Sequence, residues 1–298
     1  MGRVEGQRQA KEPLNGRYNI IKIIGSGGMS TVYLVEDSES DGKRWAIKAS
    51  SVAAKGYNQL KGEAQILSEL NHPHLPLIVD YFSSEDHRYF YLVQEYIEGK
   101  TLLQLHEESQ EGLDYKDIVH YCLQISGVLD YLHRKKVIYK DLKPGNVMVT
   151  NTGEVKLIDF GTSRKFDERK LADTLQLGTV GFAAPEQFEK QQTDHRTDLF
   201  SLGAMMYFLL SNGKYVYTTQ KPLNTLHRHL PKSLVSLVHD LIQLEPSRRC
   251  QTAKEVQERL KAIEEEKPKL LNKRLFVEYS LSLLWLMGVL VYILMNRT

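Results

Sequence analysis

Cysteine is scarce: Cys122 and Cys250 stand far apart with no Cys-x-x-Cys pair, which excludes a disulfide framework and a thiolate zinc or redox site. Both are expected as buried free thiols. Charge of one sign is also lacking, since 39 basic residues face 37 acidic ones for a net charge of +2, and no bulk attraction to nucleic acid follows. Internal repeats are absent, so a solenoid is excluded. Residues 1–16 contain no apolar run, so no cleaved signal peptide is expected. Met1-Gly2 is followed by Gly6 where a myristoylation signal needs Ser or Thr, and lipidation is not expected. His72-Pro73-His74 and His227-Arg228-His229 lack the spacing and further ligands of a zinc site, so structural or surface roles are expected.

What is present is a core and a change of pattern along the chain. The 298 residues are 42% hydrophobic, enough for one large domain or two ordinary ones. Residues 18–24, 31–35, 44–49 and 89–94 carry β-branched and aromatic residues between Gly, Ser and Asp breakers, and read as strands. Leu60, Ala64, Leu67 and Leu70 recur at helical spacing until Asn71-His72-Pro73 stops the run. From about residue 101 helices dominate. Ile118, Cys122, Ile125, Leu129 and Leu132 form one face, residues 198–210 read as a buried helix, and Thr252-x-x-Glu255 opens another with a capping box. The chain is therefore α+β, with an N-terminal extension (1–16), a β-rich lobe (17–96) and a helical lobe (97–264).

Beyond a charged linker (265–274), residues 279–295 carry no charge and with 275–277 form an apolar stretch of roughly twenty residues, about 30 Å as a helix. Glu278 near its start suits the headgroup level, and Tyr279, Trp285 and Tyr292 are residues of membrane interfaces. A transmembrane helix is expected at 275–295, a buried or in-plane helix being the alternative. Lys267, Lys269, Lys273 and Arg274 precede it and Arg297 follows, which places residues 1–274 in the cytoplasm. With only residues 296–298 beyond the span in this sequence, no outer sensor domain is expected.

Several short segments carry chemistry. Ile24-Gly25-Ser26-Gly27-Gly28-Met29-Ser30 lies between two strands, where small residues and free N–H groups can close over phosphates. No helix and no Gly-Lys-Ser/Thr follows, which argues against a dinucleotide fold and a Walker loop; taken alone, the segment is equally an ordinary hairpin. Lys48, in Trp45-Ala46-Ile47-Lys48, is an ammonium on an apolar strand and needs a partner unless it snorkels from an edge. Glu63 suits that role, standing three and four residues before Ile66 and Leu67 on the core side of the helix. Glu69 is the competitor, too near the helix end. Lys140-Asp141-Leu142-Lys143-Pro144-Gly145-Asn146 is followed by Asp159-Phe160-Gly161. A lone Asp-Phe-Gly is an ordinary turn, but the two in this order supply a base and two cation ligands for phosphoryl transfer.

Over residues 18–263 the chain resembles the Hanks-type serine/threonine protein kinases, closely their bacterial members. The resemblance implies the two-lobed kinase fold, ATP with Mg2+ or Mn2+, and protein substrates with Ser or Thr acceptors. It implies that residues 24–30 cover the phosphates, that Lys48 holds the α- and β-phosphates, and that Glu63 orients it. Asp141 would accept the hydroxyl proton, Lys143 neutralise the γ-phosphate, and Asn146 and Asp159 hold two metal ions. Val32, Ala46 and Met148 would enclose adenine, with Gln94 as gatekeeper and Glu95 and Ile97 in the hinge. Lys143 also implies a Ser/Thr acceptor. Residues 178–186 would dock peptide, Glu186 would pair with Arg249, and Asp198 would bond the catalytic-loop backbone. Where most relatives have His-Arg-Asp, this chain has Tyr139-Lys140-Asp141, so Lys140 is a point charge in place of a bidentate arginine and loop-phosphate control is looser. Thr174 is the expected autophosphorylation site, Thr179 the expected bridge between Asp141 and Lys143, and a homodimer along the span near Gly288 the expected assembly. The rivals are a nucleotide-binding scaffold without turnover and a small-molecule kinase. The full set of turnover residues counts against the first, and Ala184-Pro185-Glu186 against the second.

Overall fold

The computed structural model describes residues 13–27, 30–166, 181–188, 193–219, 221–226 and 229–266. Residues 1–263 form one compact unit; 264–298 form a second, of which 264–266 are described.

A five-stranded antiparallel sheet opens the first unit, in the order β1 (Tyr18–Ser26), β2 (Thr31–Asp37), β3 (Arg44–Ser51), β5 (Tyr89–Glu95), β4 (Ile78–Ser83). In β3 Lys48 stands opposite Val32 and Leu92, and Ala46 opposite Leu34 and Gln94. Residues in register share a face, so Val32, Ala46, Lys48 and Gln94 look out on the same side. Helix α1 (Gly56–Ser68) covers part of that side, with Leu60 and Ala64 packed on Phe90 and Leu92. The opposite face is a separate cluster of Tyr18, Val35, Trp45, Ile47 and Val93. Two sequence readings need correction. Helix α1 ends at Ser68, short of Leu70. Strand β4 was not expected, because its pairing slips between Ile78 and Asp80 and most of it is only half-buried, which blurs the alternation that marks a strand.

The helical part begins with β6 (Gly99–Thr101) and α2 (Leu102–Glu108), where Thr101 and Gln104 form a capping box. Helix α3 (Tyr115–Arg134) starts at Asp114, whose carboxylate accepts the Lys116 N–H, and buries the predicted face through Leu132. Short strands follow: β7 (Val137–Ile138) pairs with β10 (Arg164–Lys165), and β8 (Val147–Thr150) lies between β6 and β9 (Val155–Leu157). These pairings fix both ends of the segments 139–146 and 158–163, where the site is built.

Every residue from Thr197 to Leu210 of α4 (Arg196–Leu210) is buried, as expected of a helix that is apolar all round. At Gly203 a Cβ would lie 2.5 Å from that of Leu241, so glycine permits α7 (Lys232–Leu241) to pack closely. Helices α5 (Val216–Thr219), α6 (Leu223–Leu226) and α8 (Ala253–Glu264) complete this lobe. The expected capping box of α8 is half realised: Thr252 Oγ1 accepts the Glu255 N–H at 3.1 Å, but the Glu255 carboxylate reaches the Gln251 N–H instead. Cys122 and Cys250 are free and buried, and burial pushes the Cys122 thiol up to about 12. His72 packs against the Tyr131 ring at 4.9 Å, and His74 Nδ1 lies 2.7 Å from the Val155 carbonyl. Among the described residues no helix is long and apolar enough to cross a membrane; the span expected at 275–295 lies outside them.

Candidate active site

Lys48 leaves the sheet on the side of α1 and meets Glu63 Oε1 at 2.5 Å. The lysine is 8% exposed and the glutamate 2%, so each removes a cost the other would bear alone. Glu69, the competitor, instead pairs at the surface with Lys165 at 2.6 Å. Glu63 Oε1 also accepts the Phe160 N–H at 3.1 Å, and Lys48 Nζ lies 3.6 Å from Asp159 Oδ1. One carboxylate therefore ties the sheet lysine to the Asp-Phe-Gly segment. Burial works against the Lys48 ammonium, but the Glu63 and Asp159 charges outweigh it and hold its pKa above the ordinary value. Burial raises Glu63 above the usual carboxylate range, against the pull of Lys48. Asp159 falls below that range: burial opposes the shift, and the Lys48 charge with the Gly161 N–H overcomes it.

Asp141 is held from two sides. Its Oδ2 accepts from Lys143 Nζ at 2.7 Å and from Asn146 Nδ2 at 2.9 Å. The same Asn146 amide donates to the Asp141 carbonyl at 2.8 Å, so the nitrogen end of Asn146 is committed and its oxygen end is the one suited to a cation. The backbone beneath is clamped by Asp198, which accepts the Tyr139 N–H at 3.0 Å and the Lys140 N–H at 2.7 Å, and faces His133 Nε2 at 2.9 Å. Lys140 is 5% exposed with φ +72°, and its carbonyl accepts from Gln187 Nε2 at 3.0 Å. Two non-glycine residues of the site, Lys140 and Asp159 (φ +67°), thus sit in a backbone region that costs about 1–3 kcal/mol and persists only where neighbours enforce it.

The cleft face of the sheet carries Val32, Ala46 and Gln94, and Met148 of β8 is half-buried in the other lobe. Gln94 is 5% exposed and its Oε1 has no hydrogen-bond partner. Ile97 is buried, while Ile24, Ser26 and Gly27 are exposed and Gly25 and Ser30 half-buried. The hairpin closes through the Gly27 N–H to the Ser30 carbonyl at 3.0 Å, and a Cβ at Gly27 would meet nothing within 4 Å. Gly28 and Met29 lie outside the described residues, as do Thr174 and Thr179. The Glu95 carboxylate does what the sequence did not reveal: both its oxygens accept from Lys156 Nζ of β9 at 2.8 Å, and Oε2 also accepts the Leu77 N–H at 3.2 Å. No local pattern marks two residues so far apart.

Below the site, Glu186 and Arg249 form a two-pronged pair at 2.6 and 2.8 Å. Arg249 also donates to the carbonyls of Arg196, Gln243 and Leu244, and Thr197 Oγ1 donates to Glu186. The sequence suggested this pair and the Asp198 clamp; it gave no sign of Gln187, His133 or Lys156.

Asn146 and Asp159 offer hard oxygen donors, the kind Mg2+ and Mn2+ take. The two segments are joined by the Ile158 N–H donating to the Asn146 carbonyl at 2.9 Å. Among the described residues no group of three or more His, Cys, Asp or Glu forms a metal site. Two such oxygen donors fit an ion that draws its remaining ligands from phosphates and water. A buried lysine, two oxygen donors and a carboxylate held by lysine and amide are the parts that in-line phosphoryl transfer requires.

Residues 18–270 match the protein kinase domain family. The chain is 30% identical over 261 residues to a probable serine/threonine-protein kinase of Clostridium perfringens, covering 82% of this chain and 38% of that protein. It is 27% identical over 267 residues to serine/threonine-protein kinase PrkC of Bacillus subtilis, with 83% and 40% covered. It is 32% identical over 276 residues to serine/threonine-protein kinase pkn2 of Myxococcus xanthus, with 84% and 32% covered. The chain thus spans two fifths or less of the length of these curated relatives. With the assembled cleft and the match over most of its length, the chain belongs to the protein kinase domain family.

Proposed function

We propose that this protein transfers the γ-phosphoryl group of ATP to serine or threonine hydroxyls of proteins, itself included, with Mg2+ as the preferred ion and Mn2+ as a substitute. The observation that carries this reading is the Lys48–Glu63 pair at 2.5 Å in the same cleft as Asp141 and Asp159. Bound MgATP supplies the transferable group and the metal charge that balances it. Lys48, fixed by Glu63, meets the phosphates nearer the nucleoside. Asn146 and Asp159 would hold the metal through oxygen. Asp141 orients the acceptor hydroxyl and takes its proton, while Lys143, 2.7 Å away, offsets the charge that gathers on the transferred group. Lys143 at this position supports a Ser/Thr acceptor.

Thr174 is proposed as the autophosphorylation site and Thr179 as the bridge between Asp141 and Lys143. Residues 275–295 are proposed to cross the cell membrane with the kinase domain on the cytoplasmic side and to pair two copies near Gly288; the uncharged run supports this. The test is phosphoamino-acid analysis and site mapping of the full chain after incubation with MgATP and a mixture of protein acceptors. Phosphoserine and phosphothreonine, with Thr174 labelled, support the reading; label confined to tyrosine or to small molecules overturns it. Extraction of the full chain from membranes by alkaline carbonate would overturn the spanning helix.

A further inference from the structure

His72 and His74 lie in the turn that carries the chain from α1, and so from Glu63, to β4, and neither has a task in the reaction described above. This turn is fastened to the helical lobe. The Asn71 N–H donates to the Tyr131 hydroxyl at 2.9 Å, the His72 ring lies on the Tyr131 ring at 4.9 Å, and the His74 carbonyl accepts the Leu157 N–H at 3.0 Å. Leu75 then enters the large core of the helical lobe.

The two imidazoles are bonded in opposite senses. His74 Nδ1 faces the Val155 carbonyl at 2.7 Å; a carbonyl only accepts, so Nδ1 carries a proton, and a second proton on Nε2 leaves that bond intact. His72 Nδ1 receives the His74 backbone N–H at 3.2 Å. A backbone amide only donates, so this nitrogen must be bare, and protonation sets two donors face to face. The ring is half-buried beside a cavity of about 400 Å3 lined by His72, His74, Gln124, Asp130, Arg134 and Gln257, which gives protons a route to it.

Among the described residues, the titratable and charged groups around His72 are His74 of the same turn and, on α3, Tyr131 and the Asp130–Arg134 pair at 3.0 Å. Gln257 of α8 and the Val155 carbonyl of β9 bring no charge. Burial, with the charges of His74 and Arg134, holds the His72 pKa below its ordinary value. A histidine depressed in this way contributes stability that is complete above its unfolded pKa of about 6.5 and is lost as pH falls through that value.

We propose that His72 is a proton-operated latch: neutral, it closes the 71–75 turn and fastens α1 to the helical lobe; protonated, it opens the turn and loosens the hold of Glu63 on Lys48. The link to nucleotide rests on the reading of Lys48 as the group that meets the phosphates.

The experiment titrates the full chain, His72→Asn and His74→Gln with MgATP by calorimetry at about pH 7.5 and about pH 5.5, either side of the histidine range. Amide hydrogen exchange over residues 69–75 is followed at both values. Asparagine accepts from an N–H two residues on, as His72 does, and does not titrate. On acidification the Kd for MgATP is expected to rise about three- to tenfold more in the unmutated chain than in His72→Asn, the scale of one hydrogen bond. Exchange over the turn quickens in the same comparison, and His74→Gln keeps both responses. Protonation of ATP and the intrinsic pH dependence of exchange are common to all three chains and cancel in the ratio. An acid response as large in His72→Asn as in the unmutated chain, in either measurement, overturns the proposal. Failure of the unmutated chain to bind MgATP at the higher pH overturns the kinase reading instead, and the exchange comparison still decides the latch. If His72→Asn does not fold, His72→Asp, an acceptor charged throughout this range, is held to the same outcome.

Discussion

Lys48 meets Glu63 at 2.5 Å and Arg249 meets Glu186 at 2.6 Å, yet the surroundings of the two pairs differ in kind. Arg249 is enclosed: three backbone carbonyls and both oxygens of Glu186 absorb its donors, and Phe200 lies under its guanidinium at 5.0 Å. The Lys48 pair borders a cleft, with Asp159 as a third, looser partner whose side chain is 53% exposed. A saturated pair locks one arrangement, and a pair with a vacant side can exchange a protein contact for a ligand contact. The helical lobe carries one large continuous core, which also takes in Ile66, Leu67 and Leu75, while the other buried apolar clusters of the sheet lobe are two small ones. Stability is thus expected to reside with Arg249, and chemistry with Lys48.

The largest effect that would sharpen this contrast is on turnover. Lys48→Met, like Asp141→Asn, is expected to lower phosphoryl transfer by about a thousandfold or more, on the order of 4 kcal/mol of barrier. Lys48→Met should cost only about 1–2 kcal/mol of stability, because Glu63, already raised in pKa, can take up a proton. Steady-state kinetics and urea denaturation measure the two. Arg249→Met should do the reverse and cost about 3–5 kcal/mol of stability by stranding Glu186, with activity per folded molecule falling far less. Equal stability losses in the two variants would break the contrast.

A third measurement tests where global stability lies. The Cys122 thiol, pushed by burial from 9.0 up to about 12, stays neutral in the folded chain while the unfolded chain ionises. A folded pKa above the unfolded one means protons are favoured in the native state, so stability is complete below pH 9 and declines as pH rises toward 12. Between pH 8 and pH 10.5 the unmutated chain should lose about 2 kcal/mol relative to Cys122→Ala, read by denaturant unfolding at each pH. A constant difference would show that unfolding of the sheet lobe alone was being followed.

The smallest expected effect is at Lys156. Lys156→Gln should release Glu95 and cost about 1 kcal/mol, raising KM for ATP a few-fold with kcat nearly unchanged, since the pair ties β5 to β9 beside Met148 and touches no reacting group. An equal loss in kcat would place Glu95 and Lys156 with the chemistry.

The parts of this structure legible in sequence are those where one local feature carries the physics. A lysine on an apolar strand demands a buried carboxylate, and helical spacing singled out Glu63 over Glu69. The uniformly apolar run in α4 announced a central helix. The Glu186–Arg249 brace was legible only through family resemblance, because nothing near either residue signals the other. Strand β4 was hidden by its slipped pairing after Ile78. Tyr139 was legible as a departure from the usual histidine, but the reach of its hydroxyl to Ile158 depends on how β7, β9 and β10 bring the two segments together. The pairing of Glu95 with Lys156 depends in the same way on tertiary placement.

The central claim, that Lys48, Asp141, Asn146 and Asp159 form a working phosphoryl-transfer site, is tested most directly by single-turnover transfer from γ-labelled ATP to protein by the full chain, with Mg2+ and with Mg2+ chelated, beside Asp141→Asn. The account predicts label on protein only with Mg2+ and only with Asp141 intact. Nucleotide binding without transfer in the unmutated chain, or equal transfer by Asp141→Asn, would contradict it.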